Sequence, residues 1–157
     1  MILQRKTVAE TDDDCISSSS YRLETLQLLK KVKLIKRNRL QGQLQKRITH
    51  INGLELKLQD RQARFEESEK RRENQIEETL LAVTASVTRV EELYAAHDAV
   101  NQIKVRSIED KQDIQRLKSE IETHIGEQQS ISNELVMAEK ALEKVQFLIG
   151  AEVIDEP

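Results

Sequence analysis

The chain has no Trp and only two Phe and two Tyr, so aromatics make up 3% of its 157 residues. Without large rings to fill it, a thick core of the enzyme kind is not expected. The single Cys, Cys15, has no partner for an internal disulfide, which fits a reducing compartment. With no neighbouring His or cationic group to lower its pKa, Cys15 reads as inert. No apolar run approaches the ~18 residues of a membrane span, so membrane insertion is not expected. The start, Met1-Ile2-Leu3-Gln4-Arg5-Lys6, lacks the apolar stretch of a secretory signal, and the reading is a cytosolic, soluble protein. Net charge is only −3, so bulk electrostatics select neither nucleic acid nor acidic substrates. Gly and Pro are nearly missing between Gly53 and Gly126. With 34% of residues charged, this mix belongs to long helices and coiled coils.

What is present is a heptad ladder. Val100, Ile103, Ser107, Asp110, Ile114, Leu117, Ile121, His124, Gln128, Ile131, Leu135, Ala138, Leu142, Val145 and Ile149 alternate spacings of three and four. A 3.5-residue repeat held this long keeps one seam facing a partner helix. Its polar lapses are Ser107, Asp110, His124 and Gln128. An earlier ladder runs through Leu40, Leu44, Ile51, Leu54, Leu58 and Phe65, with Arg47 and Arg61 intruding. The stretch Glu66 to Gln75 is almost wholly charged and thins the seam. Ile76, Leu80, Val83, Val87, Val90, Tyr94 and His97 then resume the rhythm one residue out of phase.

These ladders predict an all-α fold, an antiparallel two-helix coiled-coil hairpin over residues 21–150. A continuous helix from Tyr21 to Ile149 would run roughly 190 Å, whereas a hairpin covers the seam with the chain's own first half. The bend is expected near 83–90, where Val83-Thr84-Ala85-Ser86-Val87-Thr88 gathers β-branched and hydroxyl residues of weaker helix propensity. Residues 1–20, with Thr11 to Asp14 and Ser17 to Ser20, have no periodicity and read as a flexible tail; residues 151–157 form a short acidic end. Two other breaks compete. Asn52-Gly53 is a turn dipeptide, although the ladder keeps phase through it. Ser107-Ile108-Glu109-Asp110 resembles a capping box that would restart a helix after Asn101 to Arg106. A three-helix bundle using both breaks, or a parallel dimer registered by Gln128, is the alternative architecture.

Residues able to carry chemistry are few. His97 and His124 sit at d positions and His50 beside the seam, with no second His or Cys at metal-ligand spacing. No metal site, cofactor or small-molecule substrate is therefore expected. Phosphate loop, nucleophile elbow and paired-carboxylate cleft are all missing, and an enzyme is not expected. One constellation stands out: six cations, Lys30, Lys31, Lys33, Lys36, Arg37 and Arg39, in ten residues interleaved with Leu29, Val32, Leu34 and Ile35. Lys30, Lys33 and Arg37 share one face. The run is either a solvated face or a docking surface for an acidic protein, with Leu29, Val32 and Ile35 expected to hold the seam. Nucleic acid is disfavoured by the absence of stacking aromatics, and a membrane surface by the missing interfacial Trp and Phe.

The opening Tyr21-Arg22-Leu23-Glu24-Thr25-Leu26-Gln27-Leu28-Leu29-Lys30-Lys31-Val32-Lys33-Leu34-Ile35-Lys36-Arg37 resembles the start of the YscO/FliJ family, small cytosolic stalk proteins of type III secretion and flagellar export. Size, composition and two-helix architecture agree over nearly the whole chain. The resemblance implies a hairpin whose paired ends enter the pore of a hexameric secretion ATPase. Its tip would point to the export gate, and the protein would escort chaperones. On this chain the ATPase-facing end would hold Lys30 to Arg39 and the turn near Leu142 to Ile149. A structural subunit of a scaffolding or tethering complex, or a nucleic-acid-associated helical protein, is the alternative function.

Overall fold

The computed structural model describes residues 12–85 and 89–154, with backbone alone over 12–19. Two helices account for nearly all of it: α1, Asp12–Ala85, of 74 residues, and α2, Val90–Ile154, of 65 residues. They pack against each other as a hairpin. Both competing breaks are absent. Asn52-Gly53 lies inside α1, and Asn101 to Asp110 lies inside α2. Helix α1 starts nine residues ahead of Tyr21, so Asp12 to Ser20, assigned above to the tail, are helical. Residues 1–11 and 155–157, and the bend residues Ser86 to Thr88, lie outside the described residues.

Local chemistry explains where the helices meet the bend. Near the end of α1 the Thr84 hydroxyl donates to the Leu81 carbonyl at 3.0 Å, competing with the helical ladder. The start of α2 is capped in reverse: the Arg89 backbone N–H donates to the Glu92 carboxylate at 3.3 Å, half of a capping box. Glu91 and Glu92 together place negative charge in the first turn, where the helix dipole is positive.

The molecule divides into two compact units. Unit 2, Arg47–Gln128, is centred on Ile51, Leu54 and Ile121, with Leu58 and Leu117 packed against them. Toward the bend the α1 seam passes through Gln62, Phe65, Arg72, Ile76, Thr79 and Val83. The spacings Leu54–Leu58 and Leu58–Gln62 are both four residues, so the out-of-phase ladder is absorbed without breaking the helix. As a result Arg61 and Leu80, placed on the ladder by spacing, are exposed, and in α2 so are Val90, Tyr94 and His97. Arg61 instead lies 3.6 Å from Asp113 across the helix pair.

The charged stretch Glu66 to Gln75 does build a seam, but an ionic one. Arg72, only 17% exposed, bonds Asp110 of α2 and donates to Glu69 at 2.9 Å. The polar lapse at Asp110 is thereby matched by a cation on the facing helix. Hydrogen bonds from Arg72 and then Ser107 hold the Glu69 carboxyl below its usual range. Unit 1, Met1–Lys46 with Gln129–Pro157, has its own seam of buried Leu40, Ala138, Leu142 and Val145. Among the described residues no side chain is fully buried and no buried residue is polar or charged, as a seam two helices deep requires.

Four stability measurements follow from this packing. Leu142→Ala removes a 5% exposed seam residue and costs about 2–3 kcal/mol in urea unfolding followed by circular dichroism, with half-buried Leu135→Ala costing less. Gly53→Ala and Gly126→Ala, each helical with open space around the added methyl, stabilise by about 0.5–1 kcal/mol apiece. Arg72→Ala costs about 1 kcal/mol, more than Arg71→Ala, whose side chain is 72% exposed. Because the folded Glu69 carboxyl is lowered, its contribution is present above the ordinary carboxylate range and is lost as pH falls through the lowered value. Glu69→Gln flattens the acid limb of the stability curve; an unchanged acid limb contradicts the assignment.

Candidate docking surface

The residues picked out by sequence separate into a seam and a surface. Of the seam set, Leu40, Ile51, Leu54, Ile121, Leu142 and Val145 are buried. Leu44, Leu58, Ile114, Leu117, Leu135 and Ile149 are half-buried. The basic run itself divides. Lys30, Lys33 and Arg37 are half-buried, while Lys31, Lys36 and Arg39 are exposed. Among the described residues none of the six has an ion-pair partner within 4.0 Å. Arg37 spends its guanidinium on its neighbour Asn38, donating at 2.8 Å and 3.2 Å.

This arrangement corrects the expected role of the interleaved apolar residues. Leu29, Val32 and Ile35 do not hold the seam: Val32 is 61% and Ile35 67% exposed, and Leu28 and Leu29 are exposed with them. The reason is phase. Stepping back from buried Leu40 by three and four residues lands on Arg37, Lys33, Lys30, Leu26 and Leu23, all among the less exposed positions of α1. The long alkyl stems of Lys30, Lys33 and Arg37 therefore take the inward positions, with their charged ends reaching water. The apolar residues are turned outward by the same geometry.

Unit 1 consequently carries an outward apolar stripe, Leu28, Val32 and Ile35, at helical spacing and flanked by Lys31, Lys36 and Arg39. Helix α2 has a counterpart. Met137, Lys140, Lys144 and Phe147 share one face by their three-four spacing, with Met137 69% and Phe147 76% exposed. Reading the spacing missed both stripes. The signal that finds the first is the phase of the Leu40–Leu44 ladder extended toward the N-terminus. Chemically, such surfaces combine area to bury with cations placed to steer an acidic partner.

No model of a known protein family matches the sequence, and no curated protein does. A solved structure does match. The chain has the fold of the crystal structure of the type III secretion protein YscO from Vibrio parahaemolyticus, with a TM-score of 0.84 at 17% sequence identity, covering 89% of this chain and 88% of that one.

Proposed function

We propose that this chain is a non-enzymatic coiled-coil stalk of a type III protein secretion apparatus, working in the cytoplasm. The observation that carries this reading is the likeness to YscO over 89% of the chain at a TM-score of 0.84. It is supported by the opening Tyr21 to Arg37, read independently from the sequence. No helix among the described residues is long and apolar enough to cross a membrane.

In finer detail, unit 1 docks into a hexameric secretion ATPase, and the region of the bend reaches toward the export gate and chaperones. The physical support lies in the surface of unit 1. Val32 and Ile35 leave apolar area that no neighbour among the described residues covers. Lys31, Lys36 and Arg39 flank that area and accelerate encounter with an acidic surface. Lys30, Lys33 and Arg37 serve the helix pair through their stems and add positive potential at their tips.

The test uses the two kinds of surface residue separately, against a purified type III secretion ATPase from the same organism. Lys31→Glu, Lys36→Glu and Arg39→Glu together slow association at least about tenfold at low salt, with the difference shrinking as salt rises. Val32→Glu with Ile35→Glu shortens the lifetime of the complex instead. Both variants keep the parent's circular dichroism because every replaced side chain is exposed. If both variants bind and stimulate the ATPase like the parent, this surface is a solvated face and the docking assignment fails.

A further inference from the structure

Three side chains that sequence spacing left apart come together in unit 2. His50 on α1 lies against His124 on α2, with ring centroids 4.8 Å apart and planes at 85°. Glu120, one turn before His124, places Oε1 at 3.9 Å from His124 Nε2. One ligand atom from each of His50, Glu120 and His124 lies within 4.8 Å of the other two. We infer that His50, Glu120 and His124 form a binding site for a borderline divalent transition-metal ion, Zn²⁺ foremost, that clips α1 to α2.

The donor set fits this ion class. Two imidazoles and one carboxylate are typical zinc ligands, whereas Mg²⁺ and Ca²⁺ prefer all-oxygen sites. With metal–ligand bonds of about 2.0–2.1 Å, tetrahedral ligands sit roughly 3.3 Å apart, so the three atoms must close by about 1.5 Å at most. His50 and Glu120 are exposed and make that adjustment by side-chain rotation, without moving the seam. Three protein ligands leave the fourth position to water.

The surroundings supply the orientation that such a site needs. His124 is the most enclosed of the three, its side chain 20% exposed. Its Nδ1 lies 3.0 Å from Glu127 Oε2, and the tautomer that donates Nδ1–H to this carboxylate leaves the Nε2 lone pair on the side of Glu120. A carboxylate behind a histidine is the arrangement that fixes the tautomer and raises the basicity of a ligating imidazole. Arg47 Nη1 also lies 2.8 Å from His124 Nδ1, but in this tautomer it has no acceptor there and pairs with Glu127 Oε2 at 2.8 Å. With neutral imidazoles, Glu120, Glu127 and Arg47 leave one net negative charge to meet the cation. The ion would bridge helices next to the Ile51, Leu54 and Ile121 cluster, stapling the better-packed part of unit 2.

Calorimetric titration of the full chain with ZnCl₂, paired with thermal unfolding and with Co²⁺ absorption, tests the site. The parent should bind one ion per chain and gain about 3 °C or more in Tm at saturation. Bound Co²⁺ should show tetrahedral visible bands without a thiolate charge-transfer band, which excludes Cys15 as a ligand. His50→Gln and His124→Gln should each weaken binding at least about tenfold and abolish the Tm gain, with circular dichroism confirming that the variants fold. His97→Gln, at an exposed histidine of the same unit, should bind like the parent. Failure of the parent to bind, or undiminished binding by His50→Gln and His124→Gln, overturns the assignment.

Discussion

Everything in this molecule depends on covering one stripe of side chains repeated every three and four residues. Neither helix can bury its stripe alone, and most helical stability in proteins comes from packing an amphipathic face. The partner is supplied by the chain itself across the bend between Ala85 and Val90. Because the seam is only two helices deep, even its best-packed residues, Ile51, Leu142 and Val145, remain 5% exposed. Stability is therefore distributed in small increments, and the surface carries whatever the seam does not use.

Three of the four polar interruptions of the α2 ladder, Ser107, Asp110 and His124, are paired rather than merely tolerated. Asp110 meets Arg72, Ser107 meets Glu69, and His124 meets His50, Arg47 and Glu127. An unpartnered charge in a half-buried layer would cost more than an apolar residue there, so Asp110 on α2 needs the answer that Arg72 gives on α1. These matched layers also resist slippage, since a shift of one turn would set Asp110 and Arg72 against the wrong neighbours. In unit 1 the solution differs: Lys30, Lys33 and Arg37 fill seam positions with alkyl stems, and the apolar residues between them are left on the outside. That inversion gives unit 1 its outward stripe and supports the docking role proposed for it.

Helix phase belongs to the sequence. The α2 ladder from Val100 to Ile149 is visible residue by residue because it depends only on the 3.5-residue repeat within one segment. The same repeat, continued back from Leu40, already contains the inward orientation of Lys30, Lys33 and Arg37. The apolar identity of Val32 and Ile35 obscures it, since hydrophobic residues of a coiled coil ordinarily face the partner.

What only the tertiary structure decided is which residue on one helix faces which on the other. That register joins positions far apart in the chain, and no local spacing encodes it. Arg72 answering Asp110 and His50 reaching His124 both follow from register. A helix repeat determines a face. Only packing against the second helix determines what that face meets, and the chemistry of the paired layers exists only once the two are aligned.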